Sequence, residues 1–499
     1  MTRRVAETMR KLGKGAAIRE IQDFFPQILK GGDPLGDYFV ATVSSSDRRA
    51  FGATLTPNWL IDLQLEQIAE KCTPARVVDA GAGTGRYALR AARRWPHATI
   101  VAVEKDLALA DAIRINARAT GARIEVCCID YLALSLPTID GPTAFVGNPP
   151  YVRHHDILPE DKAWYSREMS RLGLPHSQLA GLHTYFYLKS YLLSKPGDVG
   201  SFVSAAEWME TNYGRGMRDL FCRMGGESLL RVDPRERIFP DALTTSVIGT
   251  WAIGEKGQVG FADLAARTVQ SHFQIGREEL RALGKWPGFG YGVPSPSRTR
   301  SVLGAYFRIS RGQVTGCNQV WIANEETIRL IPTRYLFPCV TGADEIINAG
   351  GVLRGTEALR RVIDLPSDLR ALTAPERRKV DAFLDIAKRS GAADSYIAKH
   401  RKPWWRVGLK PSPPIIMSYM GRRPPVFARN ACGARILNIA HALVPLRPLN
   451  LRSQERIVSW LNENVSTNLG RTYGGGLVKF EPGEAMRIPI PDELLRNEA

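Results

Sequence analysis

Short apolar runs alternate with amphipathic stretches between residues 76 and 147, and this order restricts the fold more than any other feature of the sequence. Two stretches, 86–94 and 107–119, predict helices from the spacing of their apolar residues. The runs that predict strands are 76–79, 99–104, 123–127 and 143–147. Because strands joined through helices build a parallel sheet with helices on both faces, the pattern predicts an α/β domain. The sequence also predicts a buried helix at 182–193 and a strand at 200–204, which extend this domain.

A stretch rich in glycine and proline separates this region from the rest of the chain. Residues 284–297 contain four glycines and three prolines, a density that interrupts both helices and strands. The predicted segments are a basic N-terminal arm at 1–50, a catalytic domain at 51–283, a linker at 284–297 and a second domain at 298–499. Helices are predicted in the second domain at 374–390 and 453–464.

The net charge of +17 is concentrated in the second half of the chain. Residues 1–250 contain 31 basic and 28 acidic side chains, whereas residues 251–499 contain 36 and 22. Residues 395–454 contain no Asp or Glu, although eleven Lys and Arg lie among them. Such a surface attracts a polyanion, and we expect nucleic acid rather than a membrane. The alternative is that the basic excess serves only solubility.

Several classes of protein do not fit this chain. No apolar run reaches the roughly 18 residues of a membrane-spanning helix, and the basic N-terminus lacks the apolar core of a signal peptide. Seven scattered cysteines include no CxxC pair, so we expect neither a disulfide framework nor a metal site, and a cytoplasmic location. The histidines near the middle of the chain also lack metal-ligand spacing: His154, His155, His176 and His183.

A glycine-rich loop follows the first predicted strand and precedes a predicted helix. Its glycines, Gly81, Gly83 and Gly85, have the spacing G-x-G-x-G rather than the G-x-G-x-x-G of dinucleotide sites. Asp79 stands directly before them, where a carboxylate suits an ammonium group. Glu104 and Asp130 end the next two strands, placed to accept ribose hydroxyls and an adenine amino proton. S-adenosylmethionine combines these three groups; the alternative is a generic nucleotide loop.

The segment Asn148-Pro149-Pro150-Tyr151 follows the strand at 143–147. Two successive prolines fix the backbone and remove two N–H donors, which leaves carbonyl acceptors rigidly presented beside the Asn148 side chain. Two acceptors can grip an exocyclic amino group and draw its nitrogen away from planarity. Tyr151 offers a flat face to a heteroaromatic ring. The alternative is an ordinary proline-rich turn.

Together these motifs resemble the class I S-adenosylmethionine-dependent methyltransferases that modify amino groups. More narrowly, their order is similar to that of the gamma-class N6-adenine DNA methyltransferases of bacterial restriction–modification systems. Further matches extend the resemblance from about residue 50 to 490: Leu55-Thr56-Pro57, Ile238-Phe239-Pro240, residues 312–318 and residues 473–479.

The resemblance implies a Rossmann-like methyltransferase sheet, followed by a C-terminal α+β target-recognition domain. It implies that one set of residues binds S-adenosylmethionine: Thr56, Asp79, Gly81, Gly83, Gly85, Glu104, Asp130 and Tyr131. A second set would act on an adenine flipped out of duplex DNA: Asn148, Pro149, Pro150, Tyr151 and Phe239. One position departs from the family, because Lys105 replaces an apolar residue that packs on the cofactor's adenine; either its aliphatic stem or Val103 would serve instead.

The implied function is a site-specific DNA methyltransferase that acts on N6 of adenine, as a monomer, with a cognate endonuclease as a candidate partner. The basic residues expected to contact DNA are Arg153, Arg406, Lys410, Arg422, Arg423 and Arg429. Trp404 and Trp405 belong either to a DNA-contacting patch or to a core. The alternatives are methylation of RNA adenine or of protein glutamine, and a DNA-binding subunit of a larger complex with a vestigial site.

Overall fold

The structure is a computed structural model that describes residues 25–43, 54–233, 238–239, 245–254, 257–283, 286, 301–473 and 477–495. The chain divides into two compact units, residues 1–295 with 473–475 and residues 296–472 with 476–499. Residues 1–24 of the predicted arm and 287–297 of the predicted linker lie outside the described residues. Among the described residues, no helix is long and apolar enough to cross a membrane.

The first unit contains one sheet of nine described strands. The strands are β1 Arg76–Ala80, β2 Thr99–Val103, β3 Ile124–Cys127, β4 Thr143–Gly147, β5 Val199–Ala205, β6 Gly226–Val232, β7 Ser246–Ala252, β8 Gln258–Ala265 and β9 Thr268–Gly276. Their order across the sheet is β3-β2-β1-β4-β5-β7-β6-β8-β9. The first five are parallel, and β7 runs antiparallel to both β5 and β6. This order confirms the predicted parallel α/β sheet.

Helices cover both faces of the sheet. They are α1 Pro34–Thr42, α2 Asn58–Ala69, α3 Arg86–Arg94, α4 Leu107–Thr120, α5 Pro159–Arg171, α6 Leu182–Leu193, α7 Arg215–Arg223 and α8 Arg277–Ala282. Strand β1 is buried on both sides: Val77 packs in one apolar core with Ile61 and Ala88, and Val78 packs in the other with Phe145. A strand covered on both faces is continuously apolar, which explains why its sequence shows no alternation.

The neighbouring strands β1 and β4 approach closely at their carboxyl ends. Gly147, the last residue of β4, has a φ of +153°, and a Cβ added there would lie 2.7 Å from the carbonyl oxygen of Ala80. A side chain at this position would collide with the backbone of β1, so glycine is required. This contact places the segment that starts at Asn148 beside the loop that leaves β1.

The second unit mixes short strands and helices, as an α+β domain does. Its strands are β10 Ser301–Val302, β11 Phe307–Arg311, β12 Leu336–Val340, β13 Val352–Leu353, β14 Arg360–Ile363, β15 Ile415–Ser418, β16 Met420–Gly421, β17 Phe427–Asn430, β18 Arg435–Ile436, β19 Ala440–Pro445, β20 Arg471–Tyr473, β21 Leu477–Lys479 and β22 Pro489–Ile490. Its helices are α9 Asn318–Trp321, α10 Ala343–Ile347, α11 Ala374–Arg389, α12 Tyr396–Lys399, α13 Leu451–Asn464 and α14 Pro482–Met486. A five-stranded sheet, β11-β19-β15-β17-β13, forms its centre.

Candidate active site

The polar residues predicted to bind a ligand lie at the carboxyl ends of four neighbouring parallel strands. Asp79 is the penultimate residue of β1, and Glu104, Asp130 and Asn148 follow β2, β3 and β4. Strand β1 pairs with β2 on one side and β4 on the other, so chain connections diverge at this point of the sheet. Such a divergence opens the crevice in which open α/β sheets bind their ligands.

The glycine loop turns sharply from β1 into α3. Gly81, Gly83 and Gly85 all have positive φ, at +73°, +58° and +87°. A Cβ added to Gly81 would lie 3.7 Å from Cδ of Pro150, and one added to Gly85 would lie 3.0 Å from Cγ2 of Ile113. The glycines therefore permit both the backbone conformation and the close packing of the loop. They also bring the loop against the Asn-Pro-Pro-Tyr segment.

Asp79 is fully buried beneath this loop. Its Oδ2 accepts a hydrogen bond from the backbone N–H of Ala88, at 3.0 Å, and its Oδ1 has no partner among the described residues. Burial raises the pKa of Asp79 to about 8, and the nearby charge of Glu104 contributes to the increase. A buried carboxylate oxygen without a donor is suited to a cationic or donating ligand group.

Glu104, which follows β2, also holds the glycine loop in place. Its Oε2 accepts from the N–H of Gly83 and its Oε1 from the N–H of Asp106, both at 2.9 Å. Burial raises the pKa of Glu104, although these two hydrogen bonds oppose that effect. The carboxylate is thus held at the strand end by backbone donors.

Asp130 is about half exposed, unlike the two other acids. Its Oδ1 accepts from the N–H of Leu132 at 2.9 Å, and Nζ of Lys105 lies 4.0 Å from its Oδ2. Val103 is fully buried in the core of the sheet, whereas the side chain of Lys105 is 58% exposed. Of the two residues predicted to replace the missing apolar contact, Lys105 is the one that presents atoms at the surface.

The structure adds Phe186, a residue that the sequence analysis did not single out. Its ring stacks on Tyr131 with centroids 4.7 Å apart, and its Cε1 would lie 3.5 Å from a Cβ added to Gly81. Tyr131 itself is buried, and its hydroxyl forms a 2.8 Å hydrogen bond with Ser190 Oγ. Because Phe186 lies within a mostly apolar and buried helix, its sequence context resembles that of a core residue and offers no functional signal.

The segment around Thr56 lies between the glycine loop and Asn148. The Thr56 carbonyl accepts from Nη1 of Arg86 at 3.2 Å, and the Thr54 carbonyl accepts from Nδ2 of Asn148 at the same distance. Thr56 is buried. These contacts place the predicted N-terminal cofactor motif beside both the cofactor loop and the Asn-Pro-Pro-Tyr segment.

Asn148 uses only one end of its side-chain amide within the described protein. Nδ2 donates to Thr54, whereas Oδ1 is buried and has no hydrogen-bond partner among the described residues. Leaving a buried acceptor unpaired costs about 1–3 kcal/mol. An acceptor held in this way at a strand end favours a ligand that supplies an N–H donor.

Two aromatic rings stand beside Asn148. The ring centroids of Tyr151 and Phe239 are 6.4 Å apart, and their planes are inclined by 49°. The Tyr151 hydroxyl lies 3.5 Å from Ser246 Oγ, and burial raises its pKa. The tertiary fold therefore brings together Tyr151 and Phe239, which are distant in sequence.

The histidines near this site do not form a metal-binding group. His154 and His155 contact each other edge to face, and burial lowers the pKa of His183 to about 4. Within the described ranges, no three His, Cys, Asp or Glu side chains are grouped to hold a metal ion. Arg153, two residues after Tyr151, is exposed.

The candidate DNA-contact residues of the second unit differ in their surroundings. Arg406, Lys410, Arg422 and Arg423 are exposed, and Lys410 donates to the Arg311 carbonyl at 2.8 Å. Arg429 is less accessible, and its guanidinium forms a 3.1 Å ion pair with Glu455. This pair offsets the charge that Arg429 was predicted to offer to DNA.

The two adjacent tryptophans belong to a core. Trp404 and Trp405 pack against the apolar cluster that contains Trp321 and Phe383. The Trp405 indole N–H donates to the carbonyl of Pro366 at 3.1 Å. Of the two interpretations of this sequence, core packing is the one that these contacts support.

Comparisons with known proteins find matching family models in both units. Residues 143–231 match the family model of the Eco57I restriction-modification methylase, and residues 296–499 match that of the Type II methyltransferase M.Eco57I, C-terminal domain. The Type II methyltransferase M.XamI of Xanthomonas campestris pv. amaranthicola is 45% identical over 449 residues, which cover 88% of this chain and 85% of that protein.

Two further similarities are narrower. A tRNA1(Val) (adenine(37)-N6)-methyltransferase of Porphyromonas gingivalis is 33% identical over 106 residues, 20% of this chain and 42% of that protein. Among solved structures, the Type IIL restriction-modification enzyme MmeI in complex with DNA matches with a TM-score of 0.54 and 13% identity. That match covers 85% of this chain and 63% of the MmeI chain, and it supports the fold alone.

Proposed function

Because this chain belongs to the Type II DNA methyltransferases of restriction–modification systems, we propose that it methylates N6 of adenine. The substrate would be an adenine within a specific sequence of duplex DNA, and the methyl donor S-adenosylmethionine. The modification would protect that sequence from a cognate endonuclease. The target base, the methyl donor and the partner endonuclease are thus all proposed.

The observation that carries the proposal is the unpaired Oδ1 of Asn148. This oxygen is buried at the carboxyl end of β4, beside Tyr151, and lacks a donor among the described residues. An exocyclic amino group would supply that donor, and the backbone carbonyl of Pro149 is a second acceptor on the same rigid segment. Holding an amino group through two acceptors directs its lone pair away from the ring, towards an electrophile.

The pair of rings supports a flipped base. An intercalated base needs two stacking distances of roughly 3.4 Å, or about 6.8 Å between the flanking rings. The Tyr151 and Phe239 centroids are 6.4 Å apart and their planes are inclined by 49°, so the rings would have to turn towards parallel and separate slightly to admit a base between them. Stacking of about 1–3 kcal/mol per contact would offset the few kcal/mol that removing a base from the duplex costs.

The residues around the glycine loop fit S-adenosylmethionine. The unpaired Oδ1 of Asp79 would accept from the ammonium group, and Glu104 would accept from the ribose hydroxyls. Glycines at 81 and 83 leave the loop without side chains on this side. When bound, the sulfonium supplies an electrophilic methyl group. The protein then contributes orientation and electrostatics, since no general base is needed before transfer.

DNA binding would fall mainly to the second unit. The exposed basic residues predicted there to contact DNA, Arg406, Lys410, Arg422 and Arg423, lie in the span 395–454, which contains no acidic residue, and they would contact phosphates rather than bases. Arg153 would contact the strand that carries the target base. We propose that one copy of the chain suffices, because both the candidate catalytic residues and the basic surface are present in it.

The test measures transfer of tritium from labelled S-adenosylmethionine to duplex DNA, RNA and protein, followed by chromatography of the products. We expect label in DNA, as N6-methyladenine, and none with the Asn148→Ala variant as the matched control. Label in cytosine would overturn the choice of base. Label only in RNA or protein would overturn the DNA substrate.

A further inference from the structure

The segment before the catalytic domain makes direct contact with the cofactor loop. Asp33 caps the N-terminus of α1, where its Oδ1 accepts from the N–H of Gly36 at 2.8 Å. Its Oδ2 accepts from the hydroxyl of Thr84 at 2.5 Å and from Nε of Arg86 at 2.6 Å. Thr84 lies within the glycine loop, and Arg86 is the first residue of α3. One carboxylate thus joins α1 to the loop.

Arg86 continues this connection to the other side of the site. Its Nη1 donates to the carbonyl of Thr56 at 3.2 Å, and its Nη2 lies 3.5 Å from Asp37. The side chains of Arg86 and Asp33 are only 18% and 9% exposed, so solvent screens their attraction less than at an open surface. Three separate segments therefore meet at one ion pair.

Apolar packing fixes α1 in this position. Leu35, Phe39 and Val43 are almost completely buried against Ala108 and Leu109 of α4. Helix α1 also approaches the Thr56 segment closely, because a Cβ added to Gly36 would lie 2.8 Å from Cδ1 of Leu55. The carboxylate of Asp33 is consequently presented by a rigid element rather than by a loose loop.

We propose that Asp33 and Arg86 are positioning residues that hold the glycine loop and the Thr56 segment in the arrangement that binds S-adenosylmethionine. The inference rests on the proposed function. Neither residue contacts the reacting atoms, and both act through Thr84 and Thr56. Without this ion pair the glycine loop is less ordered before the cofactor binds. Part of the binding free energy must then order the loop, so the affinity for the cofactor falls. The chemical step at Asn148 is spared once the cofactor is bound.

The test compares Asp33→Asn with a matched control, Asp62→Asn. Asp62 also pairs with an arginine of α3, Arg90, at 2.5 Å, but this pair joins α3 to α2 outside the loop. For Asp33→Asn we expect KM for S-adenosylmethionine to rise about tenfold or more, because a hydrogen-bonded charge is lost. We expect kcat at saturating cofactor and KM for DNA to stay within twofold. Asp62→Asn should leave all three values unchanged.

Two further variants keep the test decisive if Asp33→Asn folds poorly. Thr84→Val removes one hydroxyl with almost no change of shape and should also raise KM for the cofactor. Arg86→Ala should raise KM for the cofactor further when it is combined with Asp33→Asn, because Arg86 also donates to the Thr56 carbonyl. An unchanged KM in Asp33→Asn and Thr84→Val, or an equal fall of kcat, would overturn the proposal. Absence of methyl transfer by the unaltered protein would instead refute the proposed function.

Discussion

The ring centroids of Tyr151 and Phe239 lie 6.4 Å apart, although 87 residues separate the two positions in the chain. Tyr151 follows β4 directly, and Phe239 precedes β7. Phe239 is anchored in an apolar cluster with Leu60 and Ile248, so its position is fixed by packing. The fold thus holds two aromatic rings from distant parts of the chain near each other, with their planes inclined by 49°.

We predict that Tyr151→Ala and Phe239→Ala each slow methyl transfer by about 5- to 150-fold, equivalent to the 1–3 kcal/mol of one base–aromatic contact. Tyr151→Phe keeps the ring and should retain most of the activity. Single-turnover kinetics and the fluorescence of 2-aminopurine at the target position measure transfer and base extrusion separately. Similar losses in Tyr151→Phe and Tyr151→Ala would assign the effect to the hydroxyl instead.

Asn148→Ala should abolish methyl transfer and leave DNA binding nearly unchanged. The substitution removes the unpaired Oδ1 and the hydrogen bond to Thr54, but Asn148 does not belong to the basic surface. Filter-binding of labelled duplex and tritium transfer measure the two properties on the same preparation. A parallel loss of both would mean that Asn148 supports the fold of the loop.

Asp79→Asn should change the pH dependence of stability. The pKa of Asp79 is raised from its ordinary 3.8 to about 8 by burial, so the folded protein holds a proton that the unfolded chain releases. Stability conferred by the protonated form is therefore lost as pH rises from about 4 to about 8. For one titrating group, the free energy of unfolding falls by up to about 1.4 kcal/mol per pH unit in this range.

Thermal unfolding of both proteins across this pH range tests the assignment. Asp79→Asn carries no titrating group at this position and should lose less stability between pH 5 and 8 than the unaltered protein. It should also bind S-adenosylmethionine more weakly. Parallel stability profiles for the two proteins would show that Asp79 does not titrate in this window.

Neutralising Arg422 and Arg423 should weaken DNA binding and reduce its salt dependence. If both contact phosphates, the slope of log K against log salt falls in magnitude by about 1.8, at 0.9 per contact. Arg429→Gln offers a comparison within the same span, because the Arg429 side chain is only 16% exposed, whereas Arg422 and Arg423 are exposed. We expect a smaller change there. Equal slopes before and after the double substitution would exclude a phosphate role for Arg422 and Arg423.

Trp405→Phe should destabilise the second unit without altering the salt dependence of DNA binding. The substitution keeps most of the apolar contact but leaves the Pro366 carbonyl without its donor, at a cost of about 1–3 kcal/mol. Denaturant unfolding measures the loss. A changed salt slope with unchanged stability would instead return Trp405 to a DNA-contacting patch.

The strand and helix pattern between residues 76 and 147 was predictable because each element carries a local signal. Helix α4 begins after the capping Asp106 and ends at Gly121 in the left-handed conformation, both visible in sequence. The acids at the strand ends follow from the same pattern. By contrast, Phe186 lies in a mostly apolar and buried helix, so only the fold distinguishes its contact with the glycine loop from ordinary packing.

The sequence by itself determined the succession of strands and helices along the chain, the glycine loop, the Asn-Pro-Pro-Tyr segment and the concentration of charge in the second half of the chain. These properties depend on residues close together in sequence. Only the tertiary structure decided that Asp33, assigned in sequence to an N-terminal arm, joins Thr84 and Arg86, and that Arg429 pairs with Glu455. Pairings between distant side chains depend on packing of whole elements, which no local pattern encodes.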